Sequence, residues 1–261
     1  MQQILVTGGA GHLGRLVVKH LSAAGYPVRG MSRRASPGEG WPGAEWKQAD
    51  LKTGAGLAEA VQGMDVVVHL AALGNSMVDF EGTRRLLDAA REAGVSHVVF
   101  ISIVGIDKVP WAGGKAKLAS EDRISHSGIP WSILRATQFY YGIDFLLNFL
   151  TKLPLVALVP TDWPLQPVAE EEVAGRLCEI VQAGPSGRLP DMGGPQVSAS
   201  GELARIWLKQ RGVHRAIIPI WLPGKMTRAL RQGGNTCPQQ AIGTVSWEAW
   251  LQQHERTRHL G

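Results

Sequence analysis

The fold is decided by the stretch Val6-Thr7-Gly8-Gly9-Ala10-Gly11-His12-Leu13-Gly14, in which four glycines fall within seven residues. Gly8, Gly11 and Gly14 have the spacing G-x-x-G-x-x-G, between an apolar run that predicts a strand and a segment with one apolar helical face. A tight turn, a close approach of backbone to phosphate and close helix packing each favour a residue without Cβ. The stretch therefore predicts a strand-loop-helix unit that binds the diphosphate of a dinucleotide.

The same stretch excludes a different phosphate loop. Gly14 is followed by Arg15, whereas a P-loop continues with Gly-Lys-Ser/Thr. The ring of His12 could cover the diphosphate or face solvent, and the sequence leaves both options open. The dinucleotide contacts predicted in this stretch are Thr7, Gly8, Gly11, His12, Leu13 and Gly14.

Strand-like and helix-like segments alternate after the glycine stretch. The patterns predict strands at 3–7, 27–32, 45–49, 65–70, 97–102 and 131–135, and helices at 13–24, 56–62, 82–93 and 115–127. Helix-ending glycines are expected at Gly25, Gly63, Gly94 and Gly128. Continuously apolar strands such as Val66-Val67-Val68 are typical of a parallel sheet covered on both faces. The chain is thus predicted to be an α/β protein with a Rossmann-type doubly wound parallel sheet.

The alternation weakens after Thr137, where proline and tryptophan become frequent. Helices are predicted at 170–182, 202–211 and 246–254. We interpret this part as returning sheet-edge elements and a small C-terminal substrate lobe. The expected organisation is a cofactor-binding core at 1–153 and a substrate-binding lobe at 154–261, integrated in a single domain.

The composition is that of an ordinary globular protein, with 44% apolar residues among 261. Cys178 and Cys237 lie far apart, which favours neither a disulfide framework nor a zinc site, and a reducing cytoplasm is expected. The N-terminus does not resemble a signal peptide. The longest apolar region, 145–160, is interrupted by Asn148, Lys152 and Pro154, so no membrane span is predicted. The expected assembly is a monomer or a homodimer.

The net charge of +5 is localised. Seven basic residues and no acidic ones lie between positions 203 and 240, interleaved with Trp207 and Trp221. Such a pattern can bind nucleic acid. An amphipathic helix with its charges in water explains the segment better, because no nucleic-acid-binding motif accompanies it.

The end of the second predicted strand bears on which dinucleotide is bound. It reads Ser32-Arg33-Arg34, and the first acidic residue downstream is Glu39. A carboxylate there would suit the 2′-hydroxyl of NAD, whereas guanidinium groups suit the 2′-phosphate of NADP. NADP(H) is therefore preferred and NAD(H) remains possible. The alternative is that both arginines are solvated loop charges.

Asp50-Leu51, after the third predicted strand, is placed to meet the adenine edge. The alternative for Asp50 is a cap for the turn at Thr53.

His69 ends an apolar strand and could act as a base. A buried, hydrogen-bonded and neutral histidine beside the cofactor is favoured, because no partner carboxylate is evident. The acidic run 170–172 is interpreted as complementing a helix dipole.

Several motifs together resemble the short-chain dehydrogenase/reductase superfamily, and within it the atypical NmrA-like NAD(P)H-binding branch. They are the Thr7–Gly14 glycine stretch, His69-Leu70-Ala71-Ala72, Glu81-Gly82-Thr83, Ile101-Ser102 and Leu134-Arg135-Ala136-Thr137-Gln138-Phe139. The resemblance implies a nicotinamide cofactor across the carboxyl ends of the strands, with Leu70, Ala71, Ala72 and Lys117 among its contacts. It also implies a substrate pocket roofed by the C-terminal lobe.

The sequence departs from that pattern at the catalytic tyrosine. The family's Lys position matches Lys117, but its Tyr position, four residues earlier, is Gly113. The family's helix Asn corresponds to Asp79, and Ser102 matches the serine after the fifth strand. A reduced carbonyl oxygen needs a proton donor or positioned hydrogen bonds, and glycine supplies neither.

Tyr140 and Tyr141 are the candidate substitutes, since they follow the sixth predicted strand at the edge where ligands of such sheets bind. Their alternative is packing of the lobe. The predicted catalytic set is Ser102, Lys117, Tyr140 and Tyr141.

The function predicted first is an NADP(H)-dependent oxidoreductase for a small hydrophobic or aromatic carbonyl, enone, imine or quinone. Two alternatives stay open because of Gly113. One is a redox-sensing regulator of the NmrA kind that binds the dinucleotide without turnover. The other is a non-redox biosynthetic enzyme.

Overall fold

The computed structural model describes residues 1–71, 76–111, 113–153 and 155–258, the side chains of 76–79 and 255–258 excepted. The strands are β1 Ile4–Thr7, β2 Val28–Ser32, β3 Glu45–Gln48, β4 Val66–His69, β5 His97–Ile103, β6 Trp131–Ala136, β7 Val156–Val159, β8 Pro164–Leu165, β9 Gly187–Arg188, β10 Ser198–Ala199 and β11 Ala216–Pro219. The helices are α1 His12–Ala23, α2 Leu57–Val61, α3 Ser76–Glu92, α4 Gly114–Ser125, α5 Tyr140–Leu150, α6 Glu170–Ala183, α7 Ser200–Gln210, α8 Lys225–Arg231 and α9 Trp247–Arg258.

The main sheet has the strand order β3-β2-β1-β4-β5-β6-β9. Its β3-β2, β2-β1, β1-β4, β4-β5 and β6-β9 pairs are parallel. The order reverses between β1 and β4, which is the switch point where open α/β sheets bind ligands. The predicted Rossmann-type doubly wound parallel sheet is confirmed.

The chain divides into two compact units. The first comprises Met1–Ser102, Trp111–Arg135 and Val173–Pro190. Its core joins strand residues such as Leu5, Val67 and Val98 to the helical residues Leu86 and Ile124, all at most 1% exposed. Packing of the strands and helices against one another removes their apolar faces from water. This burial stabilises the sheet that carries the glycine loop.

The second unit comprises Ile103–Pro110, Ala136–Glu172 and Asp191–Gly261. Tyr140 stacks on Trp247 at 5.2 Å between ring centroids, and Trp247 stacks on Trp250 at 5.5 Å. The buried carboxylate of Asp144 accepts hydrogen bonds from Trp207 Nε1 and Arg211 at 2.7 and 2.8 Å. A buried charge of this kind is stable only when it is paired and hydrogen-bonded.

The helical start of the basic segment, α7, has the amphipathic arrangement that the sequence favoured. α7 buries Leu203, Trp207 and Leu208, whereas Arg205 and Lys209 are exposed on its other face. The aromatic ring of Trp207 is therefore not available for stacking on a base.

Candidate functional site

The glycine loop joins β1 to α1 in the first unit. Gly8 has a φ of +71°, which an L side chain rarely adopts, and its carbonyl accepts the N–H of Gly11 at 2.8 Å. Gly11 caps α1 without a side-chain hydrogen bond, and no acidic residue lies in the first turn. No side-chain cap or carboxylate therefore occupies the start of α1, where backbone N–H groups and the helix dipole favour an anion.

Close packing explains two further glycines. A Cβ on Gly14 would lie 2.9 Å from both Gly8 C and Gly9 Cα, and closer still to Gly8 O. A Cβ on Gly30 would lie 2.6 Å from Trp41 Cζ2 and closer still to Trp41 Cη2, and the same ring covers Gly9. The contact between Trp41 and Gly30 was not predicted, because nothing in the local sequence pattern indicates that they meet.

A cavity of about 490 Å³ opens beside this loop. It brings together eight of the predicted cofactor contacts, which are Gly8, Gly11, Ser32, Arg33, Arg34, Leu51, Leu70 and Ala71. Its remaining lining residues are Ala10, Met31 and Ala49. Thr7, His12, Leu13, Gly14 and Asp50 do not line it, and Ala72 lies outside the described residues.

Arg33 and Arg34 enter this cavity from a fixed backbone. Gln48 Nε2 donates to Arg33 O at 3.0 Å, and Trp46 Nε1 donates to Arg34 O at 3.2 Å. The N–H of Arg34 donates to Ser32 Oγ at 3.1 Å. In the part of the chain that the structure describes, neither guanidinium has a hydrogen-bond or ion-pair partner. Both charges are therefore available to a phosphate.

Asp50 has the turn-capping role that was its alternative. Its Oδ1 accepts the N–H of Lys52 at 2.8 Å, and its backbone is bonded to Ala55 and Gly54. The adjacent Leu51 is the residue that lines the cavity. An adenine bound at this position would therefore contact the apolar side chain of Leu51.

A buried polar chain lies under the cavity floor. Thr7 Oγ1 accepts the N–H groups of Leu70 and Ala71 at 3.1 and 3.2 Å and lies 2.8 Å from His69 Nδ1. Because that oxygen already accepts two bonds, its own proton is directed to Nδ1. His69 Nε2 then carries the ring proton toward Thr83 Oγ1, 3.2 Å away.

His69 is a neutral positioning group. Burial, reinforced by the charge of Lys117, lowers the pKa of His69 to about 3. A ring that does not take up a proton near neutral pH is unsuited to act as a general base. Its bonds hold the β4 end, and hence Leu70 and Ala71, in place.

The described catalytic candidates of the first unit are Ser102 and Lys117. Ser102 is 3% exposed, and its hydroxyl has no hydrogen-bond partner among the described residues. The ammonium group of Lys117 lies 4.5 Å from the centroid of the Phe100 ring. Gly113, the N-cap of α4, has no heavy atom within 4 Å of its would-be Cβ. The side chain of Asp79 lies outside the described residues.

Tyr140 is a correction to the predicted catalytic set. Its hydroxyl donates to Val245 O at 2.8 Å, and its ring is 2% exposed against Trp247 and Trp250. Burial raises the pKa of this hydroxyl above its ordinary value. Tyr140 therefore packs the second unit and is not available as a proton donor. Tyr141 is half-exposed and stays a candidate for substrate contact.

The acidic run at the start of α6 does more than complement a dipole. Glu172 Oε1 accepts the N–H and the hydroxyl of Thr244 at 2.6 and 2.7 Å. Glu170 is buried, and its Oε1 accepts the N–H of Tyr141 at 2.9 Å. Burial raises the pKa of Glu170 to about 7.

Replacing Glu170 by Gln is expected to change how stability depends on pH. Between about 4.5 and 7 the folded chain keeps a proton that the unfolded chain releases, so Glu170 lowers the free energy of unfolding as pH rises through this window. Glu170→Gln should remove that loss, which amounts to as much as about 3 kcal/mol. Urea unfolding of both proteins across this pH range measures it.

Glu202→Gln is the control, because Glu202 is an exposed carboxylate in the first turn of α7 and is not among the groups that shift the pKa of Glu170. An unchanged pH dependence in the Glu170 variant would contradict the assignment.

Metal-binding clusters and membrane-spanning helices are absent from the described residues. Within 1–71, 76–111, 113–153 and 155–258, no three His, Cys, Asp or Glu side chains come together as a metal site. Over the same ranges, the helices are too short or too polar to cross a bilayer.

Comparison with curated proteins gives relatives of differing activity. The chain is 30% identical over 167 residues to a photosystem II assembly factor of Trieres chinensis, covering 59% of this chain and 51% of that protein. It is 28% identical over 221 residues to the chloroplastic divinyl chlorophyllide a 8-vinyl-reductase of Oryza sativa subsp. indica, covering 74% and 54%. The chain thus spans about half the length of these relatives.

Solved structures share the fold over nearly the whole chain. An NADPH-dependent quinone oxidoreductase of Escherichia coli, complexed with NADPH, has a TM-score of 0.82 at 18% identity, covering 97% of this chain and 99% of that one. Triphenylmethane reductase of Citrobacter sp. has a TM-score of 0.81 at 19% identity, with the same coverage. At these identities the likeness establishes the fold.

The model of a family described as NAD(P)H-binding matches residues 8–144, which is more than half of the chain. This range holds Gly8, Gly11 and Gly14 of the loop, the cavity and, apart from Thr7, the polar chain around His69. The chain therefore belongs to the NAD(P)H-binding family.

Proposed function

We propose that the protein is an NADPH-dependent reductase of a small hydrophobic carbonyl, enone, imine or quinone. The observation that carries this proposal is the cavity beside the glycine loop, where Arg33 and Arg34 have no partner among the described residues. The quinone oxidoreductase, the triphenylmethane reductase and the vinyl-reductase named above support a reductive reaction, because all three are reductases by name.

The residues present fit an NADP dinucleotide. The backbone N–H groups at the start of α1 would hold the diphosphate, Arg33 and Arg34 the 2′-phosphate, and Leu51 the adenine. Leu70 and Ala71 would border the cofactor, and Lys117 would bind the nicotinamide ribose as the family pattern implies. When bound, the cofactor supplies a hydride to the substrate.

Reduction also requires a proton, so that one carbonyl, one hydride and one proton give one alcohol. Gly113 cannot supply a hydrogen bond to the reacting oxygen. Ser102 is buried and its hydroxyl is unpaired among the described residues, so we assign it the hydrogen bond to that oxygen. The proton itself comes from solvent.

A non-catalytic regulator is the second candidate. Gly113 favours it, because the family's usual acid is absent and dinucleotide binding needs none. A regulator of this kind would change its affinity for a partner protein between NADP⁺ and NADPH.

The test follows NADPH absorbance in the presence of quinones, enones, imines and aromatic aldehydes. We expect oxidation of NADPH by at least one class. Ser102→Ala should lower kcat/KM about a hundredfold while leaving the Kd for NADPH unchanged. Tight NADPH binding without turnover of any compound would reject the reductase and favour the regulator.

A further inference from the structure

Helix α5 of the second unit presents apolar side chains to solvent. Phe145 and Phe149, about one helical turn apart, are 67% and 61% exposed, and Leu146 beside them is exposed as well. The buried side of the helix is formed by residues such as Ile143 and Leu147. A helix at a protein surface usually turns polar side chains to water, so α5 is apolar on the side where polar residues are expected.

The loop after α5 adds two more exposed leucines. Leu153 is half-exposed, and Leu155 is 76% exposed with a φ of +69°, the only positive φ of a non-glycine residue in the described part of the chain. Such strain persists only where the surrounding structure enforces it, and it is common at functional sites. Arg215 Nε donates to Leu153 O at 3.1 Å, and the N–H of Ala216 donates to Leu155 O at 2.8 Å. These bonds fix the loop that exposes the two leucines.

The exposed charges beside these residues are positive. Between positions 141 and 158 the sequence has two charged residues, Asp144 and Lys152. Asp144 is buried and already ion-paired, whereas Lys152 is exposed, with its ammonium group 5.5 Å from the centroid of the Phe149 ring. Arg215 adds a second cation at this end of the helix. Apolar side chains edged by cations are complementary to a bilayer surface that carries anionic headgroups.

The size of this surface bears on what can cover it. We name it the α5 apolar face; its members are Phe145, Leu146, Phe149, Leu153 and Leu155. Its exposed area is roughly 500 Å², which is large for an apolar patch on a monomer. A stable interface between two proteins buries about 800 Å² on each partner, so a second copy held by this face alone would dissociate readily. A bilayer has no such threshold, because each inserted side chain contributes separately.

We propose that the α5 apolar face binds the surface of a membrane that contains anionic lipids. Phe145 and Phe149 enter the boundary between headgroups and acyl chains, and Lys152 extends past the Phe149 ring to a lipid phosphate. This binding is peripheral and needs no helix that crosses the bilayer. It does not depend on the reductase proposal, because no residue of the face lines the cavity beside the glycine loop.

Flotation of the full chain with vesicles tests the proposal. One set of vesicles is phosphatidylcholine alone, and the other is phosphatidylcholine mixed with phosphatidylglycerol. Wild type should bind the mixed vesicles about tenfold more strongly than phosphatidylcholine alone, and high salt should remove this difference. Replacing Phe145 and Phe149 together by serine should weaken binding to the mixed vesicles at least about tenfold. Tm and the Kd for NADPH should change little, because both rings are exposed.

Val197→Ser is the control, since it removes an exposed apolar side chain of the same unit outside α5 and the loop that follows it. It should leave vesicle binding unchanged. Leu155→Gly is a second variant that does not rely on the folding of the first. Glycine adopts a positive φ without strain, so Tm should stay equal or rise while vesicle binding falls.

Wild type that floats with neither kind of vesicle would overturn the proposal. Phenylalanine variants that bind the mixed vesicles as wild type does would overturn it as well, and so would equal binding of wild type to both kinds of vesicle. A stable dimer in analytical ultracentrifugation that the double serine variant dissociates would assign the face to a second copy instead. Oxidation of NADPH is measured separately and can be present or absent in any of these cases.

Discussion

Replacing Gly14 by alanine is expected to weaken NADPH binding by at least about a hundredfold and to destabilise the fold by about 2 kcal/mol. The added Cβ would lie 2.9 Å from Gly8 C and Gly9 Cα, and closer to Gly8 O. All three atoms are backbone, so no side chain can move aside. Relief requires displacement of the loop whose N–H groups would hold the diphosphate.

Gly142→Ala is the matched control for this prediction. Gly142 also lies inside a helix, but nothing lies within 4 Å of its would-be Cβ. The control should stabilise the protein by about 0.5–1 kcal/mol, as alanine does in a helix interior. Calorimetric titration with NADPH and urea unfolding of the free protein measure the two effects.

Gly11→Ala separates binding from folding. Its Cβ would meet only Gly8 O, at 3.1 Å, so the free protein should remain nearly as stable as wild type. The affinity for NADPH should still fall, because the added methyl group lies at the N-terminus of α1, where the diphosphate would bind. Normal NADPH binding by the Gly14 variant would show that the loop does not hold the cofactor.

The first unit could be predicted closely because its signals are local. The glycine loop, the apolar strands and the helix-ending glycines each occupy a few consecutive residues. Gly25, Gly63, Gly94 and Gly128 all have the positive φ that the prediction requires. α3 begins at Ser76 rather than at Gly82, because a glycine, which is unfavourable in a helix interior, lies inside this helix.

The second unit could not be predicted in the same way. α5 is apolar around most of its circumference, so it lacks the amphipathic period by which a helix is detected. The partner of Tyr140 is 105 residues away at Val245, and that of Gln138 is 97 residues away at Asn235. Periodicity carries no information about such pairs, which is why Tyr140 was wrongly proposed for catalysis.

The two arginines after β2, Arg33 and Arg34, could be predicted only in part. Their position was predicted from the strand pattern, and the structure places both at the cavity. Gln48 and Trp46 donate only to the carbonyl oxygens of the two arginines. These contacts leave both guanidinium groups without a partner among the described residues. Replacing these arginines should therefore change the preference between NADPH and NADH more than any other property.

Replacing Arg33 and Arg34 together by alanine is expected to raise the Kd for NADPH about a hundredfold and to leave the Kd for NADH unchanged. A hydrogen bond between charged groups contributes about 1.5–3 kcal/mol, and only NADPH carries the 2′-phosphate that would receive it. The unfolding free energy should change little, since both side chains are exposed and neither has a partner among the described residues.

Lys19→Ala, which removes an exposed cation of α1 away from the cavity, is the control and should alter neither Kd. Titration of each protein with both dinucleotides at low and high salt gives the ratio of affinities. The double variant should also lose most of the salt dependence of NADPH binding. An NADPH-to-NADH ratio that stays at the wild-type value would mean that the two guanidinium groups are solvated loop charges and that another part of the cavity selects the cofactor.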